Sequence, residues 1–78
     1  MEERNIFLRN HILDRIAAGC WGAGEKLPGA REFVAETGSS LPIVQGVIDQ
    51  LAAEGILETI PRRGTFVQFQ WKERLLQG

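Results

Sequence analysis

Residues 55–70 read GILETIPRRGTFVQFQ, and this stretch decides the fold. GILETI is β-branched and alternates in part, PRRG is a turn, and TFVQFQ alternates again. Alternation with a period of two marks a half-buried strand, and two such runs joined by a tight turn make a β-hairpin. Within the second run, Val67 and Phe69 fall on one side, Phe66 and Gln68 on the other. The turn carries adjacent cations, Arg62 and Arg63.

Upstream of Gly55 the period becomes helical. Val44, Val47, Ile48 and Leu51 form one apolar stripe, with Gln45, Gly46, Asp49 and Gln50 largely outside it. This helix is expected to start at Ser39 or Ser40, since serine is a good N-cap and Pro42 is tolerated in a first turn whose N–H groups lack intrahelical partners. Gly55 is a natural stop. A shorter helix is expected from an N-cap at Gly29 to about Thr37. Phe33 is its apolar anchor, and Glu32 is placed to reach back to free backbone N–H groups. Gly38 permits a tight turn between the two helices. A first helix runs from about Arg4 to Ala18, where Leu8, Ile12 and Ile16 recur every four residues with Leu13 beside them. The segment CWGAGEKLP reads as a loop, with Trp21 as a lid on the core. WKERLLQG, after the hairpin, suits either the start of a helix or a linker.

Composition sets outer bounds. A chain of 78 residues is one domain with a modest core, hiding about 60% of the surface that its unfolded chain exposes. Its 44% apolar and 24% charged residues are those of an ordinary soluble globule. No apolar run approaches the roughly 18 residues that a bilayer span requires. The first ten residues carry acids and are not a secretory signal. One cysteine, Cys20, cannot form an internal disulfide and fits a reducing cytoplasm. The net charge of −1 is unlike the usual basic footprint of a nucleic-acid binder, and Ser40 to Glu54 contains no Lys or Arg.

Three helices followed by a hairpin, with a short turn between the second and third helices, define an α+β, mainly α, winged helix-turn-helix. The residue pattern is sharper than the layout. Ile16, Gly19, Trp21, Gly24, Leu27-Pro28, Arg31-Glu32, Gly38, Ser40, Val44, Leu51, Glu54-Gly55, Leu57 and Gly64-Thr65-Phe66-Val67 fall in order without a gap. From Leu8 to Val67 the chain resembles the N-terminal domain of GntR-family transcriptional regulators. The resemblance implies bacterial transcription control: a homodimer docks two such domains on a palindromic double-stranded operator, and a C-terminal domain senses a small-molecule effector. On this basis residues 1–69 are expected to be the DNA-binding domain and 70–78 the linker toward an effector domain. Where family members commonly carry arginines on the third helix, this chain has Leu41 and Gln45. Gly29 and Ala30 replace a serine and an acid at the second helix, and Arg62 stands where the wing often has glycine.

In a helix-turn-helix the N-terminal end of the second element enters the major groove. Ser40, Leu41, Gln45 and, further along, Asp49 are therefore the candidates for reading base edges. Gln fits adenine at two points, and an apolar side chain can meet a thymine methyl. Arg31, Arg62, Arg63 and Thr65 are the candidates for phosphate contact, with the positive end of the third helix assisting. The alternative is a winged helix used for protein contact or dimerisation, which the acidic outer face of the third helix favours. An enzyme is not expected. His11 and Asp14 lie one turn apart with no nucleophile beside them. His11 and Cys20 fall short of the four ligands of structural zinc, and GCWGAGEK lacks the flanking strand and helix of a phosphate loop. Neither metal nor cofactor is expected.

Overall fold

The structure, a computed structural model, describes residues 3–77. Leu8, Ile12 and Ile16 lie on one face of α1 (Glu3–Ala17), and all three are buried. Helices α2 (Ala30–Thr37) and α3 (Leu41–Ala53) follow, then strands β1 (Leu57–Ile60) and β2 (Gly64–Val67), and a last helix α4 (Trp71–Gln77). The core forms where the three stripes meet. Phe33 from α2 and Val44, Val47, Ile48 and Leu51 from α3 close on α1, and Ile56, Leu57 and Val67 from the hairpin seal the open end. Trp21 packs edge-on against Phe33, with ring centroids 5.8 Å apart, which is the lid position expected of it.

The helix ends follow their local chemistry. Gly29 precedes α2 in extended conformation, and its N–H donates to the Glu32 carboxylate at 2.8 Å, so the reach-back expected of Glu32 is made. Gly55 ends α3 with φ 84°, a left-handed conformation that a Cβ disfavours. It completes a Schellman motif: Ile56 N–H donates to Leu51 C=O and Gly55 N–H to Ala52 C=O, while buried Ile56 and Leu51 share the core. The start of α3 differs from expectation. Ser40 has N-cap geometry, but its hydroxyl makes no capping bond. The turn is held instead by Thr37, whose hydroxyl donates to Phe33 C=O at 2.7 Å and accepts from the N–H of the buried Ser39 at 3.3 Å.

The hairpin pairs antiparallel in the register Leu57 with Val67, Glu58 with Phe66, Thr59 with Thr65 and Ile60 with Gly64. Its second strand is not a free edge. Residues 24–27 run along the other side of β2: Gly24 N–H donates to Val67 C=O, Val67 N–H to Glu25 C=O and Leu27 N–H to Thr65 C=O. Part of the expected loop therefore acts as a short third strand and covers backbone groups that an edge would expose. Phe69 departs from the alternation. The strand ends at Val67, and Phe69 is 78% exposed, its ring lying over Gly24 rather than in the core. The segment after the hairpin is helical, and Trp71 packs against the core.

Candidate nucleic-acid interface

Helix α3 presents two faces because its buried residues follow a helical period. With Val44, Val47, Ile48 and Leu51 turned inward, Leu41, Gln45, Gly46, Asp49 and Gln50 are left exposed. Leu41 is the first residue of α3 and is 39% exposed; Gln45 lies one turn further along. Ser40 is exposed immediately before them, its hydroxyl not consumed by the cap. These three expected base readers therefore share the N-terminal half of one helix. That half belongs to the second element of a helix-turn-helix, since α2 and α3 are joined only by residues 38–40.

The wing is built by a tight turn. Arg63 N–H donates to Ile60 C=O at 3.0 Å, with Pro61 and Arg62 between them. Pro61 supplies the fixed φ that suits the second position of such a turn. Arg62, at the third, has φ 67° and is the one described non-glycine residue in the left-handed region. This is the position where a type II turn favours glycine. Arg62 and Arg63 are both exposed, whereas Thr65 is half-buried in β2 with its carbonyl committed to Leu27 N–H.

The wing tip does not stand alone. Arg62, Arg63 and Gly64 line an open cleft of ≈ 680 Å³ whose other walls are Trp21, Lys26 and the start of α2 at Pro28, Gly29 and Glu32. Lys26 is a residue that the sequence reading missed. A Cβ on Gly64 would lie 2.6 Å from Lys26 Cε, so the lysine stem crosses the base of the wing where glycine leaves room. Its pairing opposite Phe66 puts it there. A loop lysine carries no local signal of this, because the neighbourhood is created by pairing with a strand some forty residues later. Arg31 is exposed in the first turn of α2 but does not line the cleft.

Ion pairs gather on α1, whereas three cations and one acid, Glu32, line the cleft beside the wing. On α1, Arg9 pairs with Glu54 at the end of α3 (2.7 Å), and Arg15 with Glu36 of α2 (3.2 Å), which His11 also meets at 3.3 Å. Among the described residues, Lys26, Arg31, Arg62 and Arg63 have no ion-pair partner, nor do Lys72 and Arg74 of α4. Two acids are thus held against α1 by its own cations, while the cations of the wing and of the start of α2 remain available. Among the described residues no group of three or more His, Cys, Asp or Glu side chains could hold a metal ion, and no helix is long and apolar enough to cross a membrane.

The chain matches the model of the family described as "Bacterial regulatory proteins, gntR family" over residues 7–67. It is 35% identical over 69 residues to the probable fructoselysine utilization operon transcriptional repressor of Escherichia coli (strain K12), covering 88% of this chain and 28% of that protein. It thus spans little more than a quarter of the length of that relative. Among solved structures, it superimposes with a TM-score of 0.83 on a GntR family transcriptional regulator from Listeria monocytogenes, at 23% identity, covering 94% of this chain and 63% of that one. It superimposes with a TM-score of 0.73 on YtrA from Sulfolobus acidocaldarius, a GntR-family transcription factor, at 26% identity, covering 94% and 66%.

Proposed function

The chain belongs to the gntR family of bacterial regulatory proteins and is a DNA-binding domain of transcription control; we propose that it docks α3 in the major groove and its wing on the sugar-phosphate backbone. The cations at the wing and at the start of α2, which outnumber the one acid of the cleft, carry this reading. A domain of net charge −1 can still attract a polyanion locally, since Lys26, Arg62 and Arg63 in the cleft and Arg31 at the start of α2 are free of ion pairs and Glu32 is the one acid lining that cleft. These cations, helped by Thr65, contact phosphates and fix the register without reading sequence. Ser40, Leu41 and Gln45 read base edges: Gln45 by its amide, Leu41 by apolar contact. The activity is binding rather than catalysis, in a cytoplasmic regulator.

In the same reading, residues 1–69 are the DNA-binding unit and 70–78 lead toward an effector domain that binds a small molecule. Two such units in a homodimer meet a palindrome whose half-sites are spaced by helical turns. Whether sequence is read by α3 is tested by selecting bound duplexes from a randomised pool with the wild type, Gln45→Ala and Gln45→Arg at one salt concentration. Gln45→Ala is expected to cost about 1–3 kcal/mol on the wild type's selected sequence and almost nothing on unrelated DNA. Gln45→Arg is expected to shift the preference toward guanine. Recovery of the same sequence by all three proteins would remove Gln45 from the readers. Failure of the wild type to bind any duplex would favour a winged helix used for protein contact, for which the exposed Asp49 on α3 is the supporting feature.

A further inference from the structure

Gly46 stands near the middle of the 13-residue α3, on the exposed side. Glycine is the poorest helix former apart from proline, so a glycine there calls for a reason. Two internal reasons are usual: a left-handed backbone, or a neighbour too close for a Cβ. Neither applies. Gly46 is not among the glycines with positive φ, and a Cβ built on it meets nothing within 4 Å. Three other glycines differ in kind. At Gly24, Gly55 and Gly64 the missing Cβ makes room for Phe69, Arg74 and Lys26 respectively. The fold accounts for those three and leaves Gly46 unexplained.

Its exposed neighbours one turn to either side are Pro42, Asp49 and Gln50, with Gln45 adjacent in sequence. Resting on the reading that α3 enters the major groove, we propose that Gly46 is where the backbone of α3 approaches the base edges most closely. The absent side chain lets the helix seat deeply enough for the short Gln45 amide to reach a base. A Cβ at 46 would lift this turn away and separate Gln45 from its partner. Gly46 is then a specificity-determining residue whose cost to the helix is borne for the complex.

The proposal makes stability and binding move in opposite directions, which a structural role would not do. Gly46→Ala and Gly46→Leu are compared with the wild type on the duplex that the wild type selects from a randomised pool and on an unrelated duplex, alongside thermal unfolding. Both variants should fold, since the space is open. Gly46→Ala should raise the melting temperature by about 4–8 °C. Its affinity for the selected duplex should fall about tenfold, the worth of one good base contact, and Gly46→Leu should lose more. Affinity for unrelated DNA should change little, because phosphate contacts dominate it. A Gly46→Ala protein that is more stable and binds the selected duplex as tightly as the wild type overturns the close approach while leaving the major-groove reading intact. A melting temperature that falls also overturns it, by giving Gly46 a role in the fold. If the wild type binds no duplex, this proposal fails together with the reading beneath it.

Discussion

Along the inner face of α3, Val44, Val47, Ile48 and Leu51 are no more than 3% exposed, and the helix ends on Gly55, which takes up the left-handed backbone at φ 84°. At the tip of the wing the left-handed position is held by Arg62 at φ 67°, with no glycine to relieve it. In the first region each residue type suits its backbone and its neighbours. In the second, a charged side chain stands where the turn favours none. Agreement between local preference and fold is the normal condition of a folding sequence, and departures collect at functional or strained sites. The wing tip, exposed and beside Arg63 and Lys26, is such a departure.

The comparison can be broken from either side. The largest effect is expected inside: Leu51→Ala should cost about 2–5 kcal/mol in chemical denaturation, enough to threaten a domain of this size. A loss well under 1 kcal/mol would show that the inner face of α3 does not carry the fold. At the wing, Arg62→Gly should act in the opposite sense. Relief of a left-handed non-glycine residue is worth about 1–2 kcal/mol, so the variant should be more stable while binding all duplexes more weakly. Destabilisation by Arg62→Gly would mean that the Arg62 side chain makes contacts worth more than its backbone strain. The smallest effect is expected at Arg63, where Ala should stay within about 0.5 kcal/mol of the wild type in stability. It should nevertheless weaken binding without changing which duplex is preferred; a changed preference would assign Arg63 to base reading.

How much was legible in the sequence follows the same division. The stripe of Val44, Val47, Ile48 and Leu51, the anchor Phe33 and the break at Gly55 are local patterns, and burial turns such patterns directly into architecture. The hairpin was legible for the same reason, although its turn was expected over 61–64 and Gly64 belongs to β2. What escaped depends on contacts between distant parts of the chain. Residues 24–27 read as loop because so short an extended run shows no periodicity; only β2, once folded, gives them hydrogen-bond partners. Lys26 was missed with them. Phe69 misled in the other direction: its alternation with Val67 continued past the point where pairing with β1 ends. The Ser40 hydroxyl left uncapped, and Thr37 bonded in the turn before it, reflect a choice between neighbouring hydroxyls that residue type does not settle. The candidate readers Ser40, Leu41 and Gln45 were placed by helix geometry, but the sorting of paired from unpaired cations needed the side chains of α1 in position.

The central claim is that a domain with a net negative charge binds duplex DNA through a small set of free cations. The most direct test is the salt dependence of its affinity for a labelled duplex, followed by fluorescence anisotropy. Lys26, Arg31, Arg62 and Arg63, at about 0.9 per neutralised phosphate, give a slope of log affinity against log salt of roughly −3 to −4. A slope in that range, made shallower by about one when Lys26 is replaced by Ala, is the predicted result. A slope near −8, or no binding at low salt, would contradict the account.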